Sequence, residues 1–268
     1  MRVGAFELRA TRQERGVFDE SINDAERLRG VNASLGILAR GNANMSLDPF
    51  WIHSEKPNVR SGGQVGLDAR NTLGARVWGR MGRVKLDWTL AHQSGTFRER
   101  DVDAWALFTV QSLVLSSTGW KPRLTAHVDL ASGGTATGIG TLHGFNQLYA
   151  STNYLGEGMY FSLSNLLMVA PGLAVAPTPH ASLSIEYGVA HRLRETDAAY
   201  AGLMRTYAGT QGLAGNEIGA LLRVVGSWSL SRHANLFSNY ERFAAGALLR
   251  RARLPSGSYA LVGATLRY

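Results

Sequence analysis

The sequence predicts an all-β protein, an antiparallel up-and-down transmembrane β-barrel with about twelve strands. Three observations predict it. The first is alternation: Pro122, Leu124, Ala126, Val128 and Leu130 form one apolar face, and Arg123, Thr125, His127, Asp129 and Ala131 form the other. A period of two is that of a strand with one greasy and one wet side. The second is the absence of any run of about 18 apolar residues, so no helix crosses a membrane, although 45% of the chain is apolar. The third is that the expected connections alternate short and long, as the two ends of single-chain outer-membrane barrels do.

The expected strands lie near 3–12, 28–38, 46–54, 69–80, 83–93, 102–114, 121–131, 159–169, 180–193, 217–230, 235–244 and 258–268. The first carries Glu7 and Arg9 on its polar face. The fourth sets Leu73, Ala75 and Val77 against Arg70, Arg76 and Arg80, and the fifth sets Val84, Leu86, Trp88 and Leu90 against Lys85 and Asp87. In the sixth, Ala104, Ala106, Phe108 and Val110 are expected to face outward. In the ninth and tenth, Leu183, Ile185, Tyr187 and Val189, then Ile218, Ala220, Leu222 and Val224, are expected to do the same, opposite Glu186 and Arg192, and Glu217 and Arg223. Short connections are expected near 39–45, 80–82, 115–120, 170–179 and 231–234. Longer ones are expected near 13–27, 55–68, 94–101, 132–158, 194–216 and 245–257, which puts both termini on the periplasmic side. Trp51, Trp120, Tyr160, Trp228, Tyr240 and Tyr268 fall near strand ends, as an interfacial girdle requires.

With no cysteine, disulfide frameworks, Cys-type zinc sites and Cys nucleophiles are excluded. The net charge is +8, and of the 28 basic residues only Lys56, Lys85 and Lys121 are not Arg. That balance fits an anionic partner, and the planar Arg fork suits carboxylate and phosphate. Metalloprotease, nucleophile-elbow and phosphate-loop signatures are lacking, and Gly138, Gly140 and Gly144 have the wrong spacing for a dinucleotide site. The seven His are dispersed, so no metal site, cofactor or catalytic residue is expected. Ser162 or Ser164 with His127 is the one pairing that a barrel enzyme acting on lipids would use. A basic soluble β-sandwich binding nucleic acid is the other alternative, to be recognised by solubility without detergent and salt-dependent binding. Arg250, Arg251 and Arg253 form a basic loop tip that could meet lipopolysaccharide phosphates, and a solvated loop is the plainer reading.

Several stretches resemble the alginate export family of outer-membrane porins. They are Asn71-Thr72-Leu73-Gly74-Ala75-Arg76-Val77-Trp78-Gly79, Leu86-Asp87-Trp88-Thr89 and Ala104-Trp105-Ala106-Leu107. Gly144-Phe145-Asn146-Gln147-Leu148-Tyr149, Asn153-Tyr154-Leu155-Gly156 and Tyr240-Glu241-Arg242-Phe243 add to them, with a last strand closing on Tyr268. Ala5-Phe6-Glu7-Leu8-Arg9 and Gly16-Val17-Phe18-Asp19 fit less specifically. The resemblance implies a Gram-negative outer-membrane channel that passes an anionic sugar or polyuronate through an Arg-rich constriction. It also implies contact with outer-membrane lipid and lipopolysaccharide, and no nucleic acid. The matched lumen positions are Arg76, Asp87, Arg123 and Asp129. Strand parity adds Arg9, Arg70, Arg80, Glu186, Arg192 and Arg223. Barrels of this family resemble porins of about 16–18 strands, so residues 1–268 are expected to be one barrel domain lacking N-terminal strands and a signal.

Overall fold

The computed structural model describes residues 1–13, 20–61, 64–134, 140–148 and 154–267. Tyr149, Asn153, Tyr268, Gly138 and the Gly16–Asp19 stretch lie outside the described residues. Twelve strands form one antiparallel sheet, each paired with the next in sequence. They are β1 (Arg2–Gln13), β2 (Glu20–Arg40), β3 (Ala43–Ser61), β4 (Gln64–Met81), β5 (Val84–Phe97), β6 (Arg100–Val114), β7 (Arg123–Ala131), β8 (Leu166–Thr178) and β9 (Ala181–His191), then β12 (Glu217–Ser231), β13 (Ala234–Ala245) and β14 (Gly257–Leu266). Between β9 and β12 lies a two-stranded ladder of β10 (Tyr200–Ala201) and β11 (Arg205–Thr206). One short helix, α1 (Ala247–Arg251), sits between β13 and β14.

The sheet curls around its own long connections. One stretch of the 132–165 segment reaches strands from both ends of the strand order. Lys56 on β3 donates to Leu148 O, Gln93 on β5 donates to Asn146 O, Asp129 on β7 accepts from Tyr154, and Tyr259 on β14 donates to Glu157. A flat sheet cannot bring β3 and β14 to one loop, so these contacts sit inside a barrel, and the face they touch is the inner one. A barrel solves two problems at once, because curling shelters strand edges and hides the polar face from lipid.

Register assigns the faces. Pairing of Thr72 with Gln93, Ala91 with Ala106, and Ala106 with Ala131 carries the inner face from β4 to β7. Outward, large apolar side chains stay exposed: Leu73 at 63%, Leu90 at 57% and Val262 at 81%. In water that pattern would be a defect, and facing acyl chains it is the expected surface.

Three sequence expectations change. The described residues of the stretches expected as loops near 13–27, 55–68 and 94–101 are largely ladder, because β2, β3, β4, β5 and β6 run on past the length that spans a bilayer. Beyond the lipid both faces are wet, so alternation disappears while pairing continues. The eighth strand lies at Leu166–Thr178 rather than 159–169. Pro171 and Gly172 read as turn residues, yet Pro171 sits in the ladder opposite Ala126. Finally, Ala104, Ala106, Phe108 and Val110 face inward, the first three packing with Phe97, Ala131 and Phe145, while Trp105 is the outward residue. Ile218 is buried too, after the register shift between Glu217 and Gly219. The inner face is apolar here because protein, not water, fills that half of the bore.

Candidate functional site: the charged bore and its loop

The filling segment, residues 132–165, contains no Lys or Arg. Glu157 is its one carboxylate, so the described part of the segment enters the barrel with little charge, and the inner wall supplies most of the charges that hold it. Asp68, Arg70, Thr72 and Gln93 are all buried. Arg70 donates from Nε to Asp68 Oδ1 at 2.7 Å and from Nη1 to Gln93 Oε1 at 3.0 Å and Gly144 O at 2.8 Å. Asn146 completes the clamp, donating its backbone N–H to Gln93 Oε1 at 2.9 Å and Nδ2 to Asp68 Oδ2 at 2.9 Å. Alternate inward positions on β4 and β5 place these groups side by side.

A second anchor lies across the bore. Tyr154 donates its hydroxyl to Asp129 Oδ1 at 2.5 Å, and His127 Nδ1 bonds Asp129 Oδ2 at 2.5 Å. Burial together with the neighbouring Asp129 charge pushes the Tyr154 phenol well above its ordinary range. His127 Nε2 faces Glu186 Oε1 at 3.4 Å. Glu241, fully buried, accepts the backbone N–H groups of Glu157 at 2.8 Å and Gly158 at 2.9 Å, and Asn239 Nδ2 at 2.9 Å. Arg223 Nε stands 3.6 Å from the same carboxylate. Gly156 has φ +112°, and a Cβ there would lie 2.8 Å from Glu241 Oε2, so glycine is required on both counts.

The other long connection, 192–216, is organised by Arg192. Its guanidinium donates to Gly215 O at 2.9 Å, Asp197 O at 2.9 Å, Thr210 O at 2.5 Å and Leu213 O. Burial lowers its pKa from the usual Arg value. Buried Asp197 accepts Gly134 N–H, Ala198 N–H and the Tyr200 hydroxyl. Asn165 ties the two long connections together, donating to Arg194 O and Ala198 O and accepting Leu193 and Arg194 N–H.

The positions expected to line the lumen therefore divide. Arg70, Arg76, Arg80, Asp87, Arg123, Asp129, Glu186 and Arg223 stand on the inner face. Of these, Arg70 and Asp129 are consumed in holding the loop. Arg76 and Asp87 form a two-bond ion pair, with Arg76 Nε 2.6 Å from Asp87 Oδ1. Arg192 lies beyond β9 and serves its own loop rather than the bore. Arg9 and Glu7 depart from the expected parity. Arg9 pairs in register with Arg27, on the outer face, where it bonds Asp24 at 2.5 Å and Glu7 at 3.2 Å. The strand there has left the lipid, so an ion-paired Arg on the outer wall meets water. Arg80, Lys85 and Arg123 have no carboxylate within ion-pair reach among the described residues, and register sets Arg80 directly opposite Lys85.

Sequence reasoning missed Glu241, Gln93, Asn165 and Asp197 as anchors. The supporting signal was thin, since each needs a loop partner that no periodicity specifies. The Ser–His pairing is not formed: Ser162 donates to Ala201 O and accepts Met204 N–H, while His127 turns to Asp129 and Glu186. Among the described residues there is no group of three His, Cys, Asp or Glu placed to hold a metal.

Comparison with known proteins follows from this geometry. The family model described as "Alginate export" matches residues 3–262. No curated protein matches. Among solved structures, a NanC porin in a rhombohedral crystal form is similar, with 7% identity, a TM-score of 0.39 and coverage of 99% of this chain and 98% of that chain. OmpT, an outer membrane protein of Vibrio cholerae, is similar with 9% identity and a TM-score of 0.34, covering 99% and 95%.

Proposed function

The chain belongs to the alginate export family, a β-barrel of the Gram-negative outer membrane, and from that premise we propose that it is a channel for anionic saccharides or polyuronates. One observation carries the anionic reading. Arg80, Lys85 and Arg123 face the bore with no carboxylate among the described residues to neutralise them, and two like charges are held opposite one another. Like charges directly opposed across a ladder are unfavourable by themselves, and an anion in the bore relieves that. The nearby Arg76–Asp87 pair is neutral overall and keeps the field from becoming a trap, because conduction needs release as well as capture.

The test is reversal potential in planar bilayers across a salt gradient. The unmodified protein is expected to be anion-selective, and Lys85→Glu with Arg123→Glu is expected to shift selectivity toward cations. Cation selectivity in the unmodified protein overturns the proposal.

A further inference from the structure

Between the inner wall and the inserted loop lies a cavity of about 450 Å³. That is the size of a small-molecule site. Its two walls differ. Arg76, Asp87 and Thr89 of β4 and β5 form the polar side. Phe108 of β6, paired in register with Thr89, continues that wall as an apolar surface, and the loop supplies Tyr154, Leu155, Met159 and Phe161. Phe108 and Tyr154 meet edge to face, with ring centroids 6.4 Å apart.

We propose that this cavity binds a small amphipathic carboxylate, an aromatic or short aliphatic acid, rather than a sugar. The polar groups available to a ligand are few. Tyr154 spends its hydroxyl on Asp129, and Gln147 spends its amide on Leu163 N–H and Ser162 Oγ. Arg76 gives Nε and Nη2 to Asp87, and its Nη1 has no hydrogen-bond partner among the described residues. One guanidinium N–H edge and the Thr89 hydroxyl serve one carboxylate. They cannot serve the ring of hydroxyls on a pyranose, and each hydroxyl buried without a partner is unfavourable. The aromatic wall instead rewards an apolar body of matching size. Such a ligand would sit in the bore as a plug or a cargo, independently of whether larger saccharides pass.

The test uses the whole chain in nanodiscs of zwitterionic phospholipid. 3-Phenylpropionate is titrated calorimetrically against glucuronate, which has the charge without the apolar body, and 3-phenylpropanol, which has the body without the charge. Phenylpropionate is expected to bind roughly tenfold or more tightly than either. Arg76→Gln is expected to erase the preference for acid over alcohol, and Val110→Phe, at the cavity wall, to weaken all binding. Phe108→Ala should weaken phenylpropionate and phenylpropanol and leave glucuronate unchanged; if that variant fails to fold, Val110→Phe decides. Glucuronate binding as tightly and competitively, no measurable phenylpropionate binding, or binding indifferent to Val110→Phe and Arg76→Gln overturns the proposal. Ion selectivity in bilayers does not enter this outcome, so the cavity and the channel reading fail separately.

Discussion

Around the short turns at 41–42, 82–83, 115–122, 179–180 and 232–233, taken with three residues on either side, the charged side chains are Arg40, Arg80, Arg83, Lys85, Lys121, Arg123 and Arg232, and none is acidic. At the opposite end of the barrel, Asp68, Asp129, Glu157, Glu195, Asp197 and Glu241 gather near the long connections together with Arg70, Arg192 and Arg223. The charges of this second end are internal partners. Asp68 with Arg70, Glu241 with the Glu157 and Gly158 amides, and Arg192 with four carbonyls hold backbone that would otherwise lack hydrogen bonds. At the short-turn end Arg80 and Arg83 donate to turn carbonyls, yet Arg80, Lys85 and Arg123 have no carboxylate partner among the described residues. The same residue type thus does opposite jobs, and what decides is whether a loop reaches it. A charge saturated by its own chain is structure, whereas an unsaturated one facing water is available to a solute.

Breaking the saturated end should be the more damaging change. Glu241→Ala leaves the Arg223 charge and two loop amides without their partner, and loss of one member of a buried pair costs about 3–5 kcal/mol. Chemical unfolding in lipid should show that loss, and single-channel current should rise as the 154–158 stretch leaves the bore. Unchanged current would mean the loop does not limit flow.

Alkaline titration probes the same end without mutation. Burial pushes Tyr207 up to about 12 from 10.0, and pushes Tyr200 up further beside Asp197. A raised folded-state pKa means that the packed loop prefers the neutral phenol, so this contribution is intact below pH 10 and is lost as pH climbs through about 12. Conductance should therefore rise between those values while far-ultraviolet circular dichroism still reports strand. A rise already complete at pH 8 would assign the change to other groups.

Tyr154→Phe removes one hydrogen bond to Asp129 while keeping the ring beside Phe108, and should cost about 1 kcal/mol with a smaller gain in current than Glu241→Ala. At the short-turn end, Arg80→Gln removes an exposed hydrogen bond to Gly82 O while relieving Lys85 of a like-charged neighbour, so stability should change by no more than about 0.5 kcal/mol. A large loss there would show that Arg80 is structural too, and the contrast between the two ends would vanish.

The number of strands, their antiparallel order and the faces of β4, β5, β7 and β9 were legible because lipid outside and water inside impose opposite demands on alternate residues. The sequence could not reveal the inward face of Ala104, Ala106 and Phe108, because a protein-filled bore is as apolar as lipid and alternation then has no contrast to record. Nor could it separate Arg123, on the inner face without a loop partner among the described residues, from the loop-holding Arg70, since both obey the same parity. Local pattern on one strand decides which way a side chain points. Only the fold of a segment tens of residues away decides what it meets there, and for Glu241, Arg192 and Asp129 that encounter sets the role.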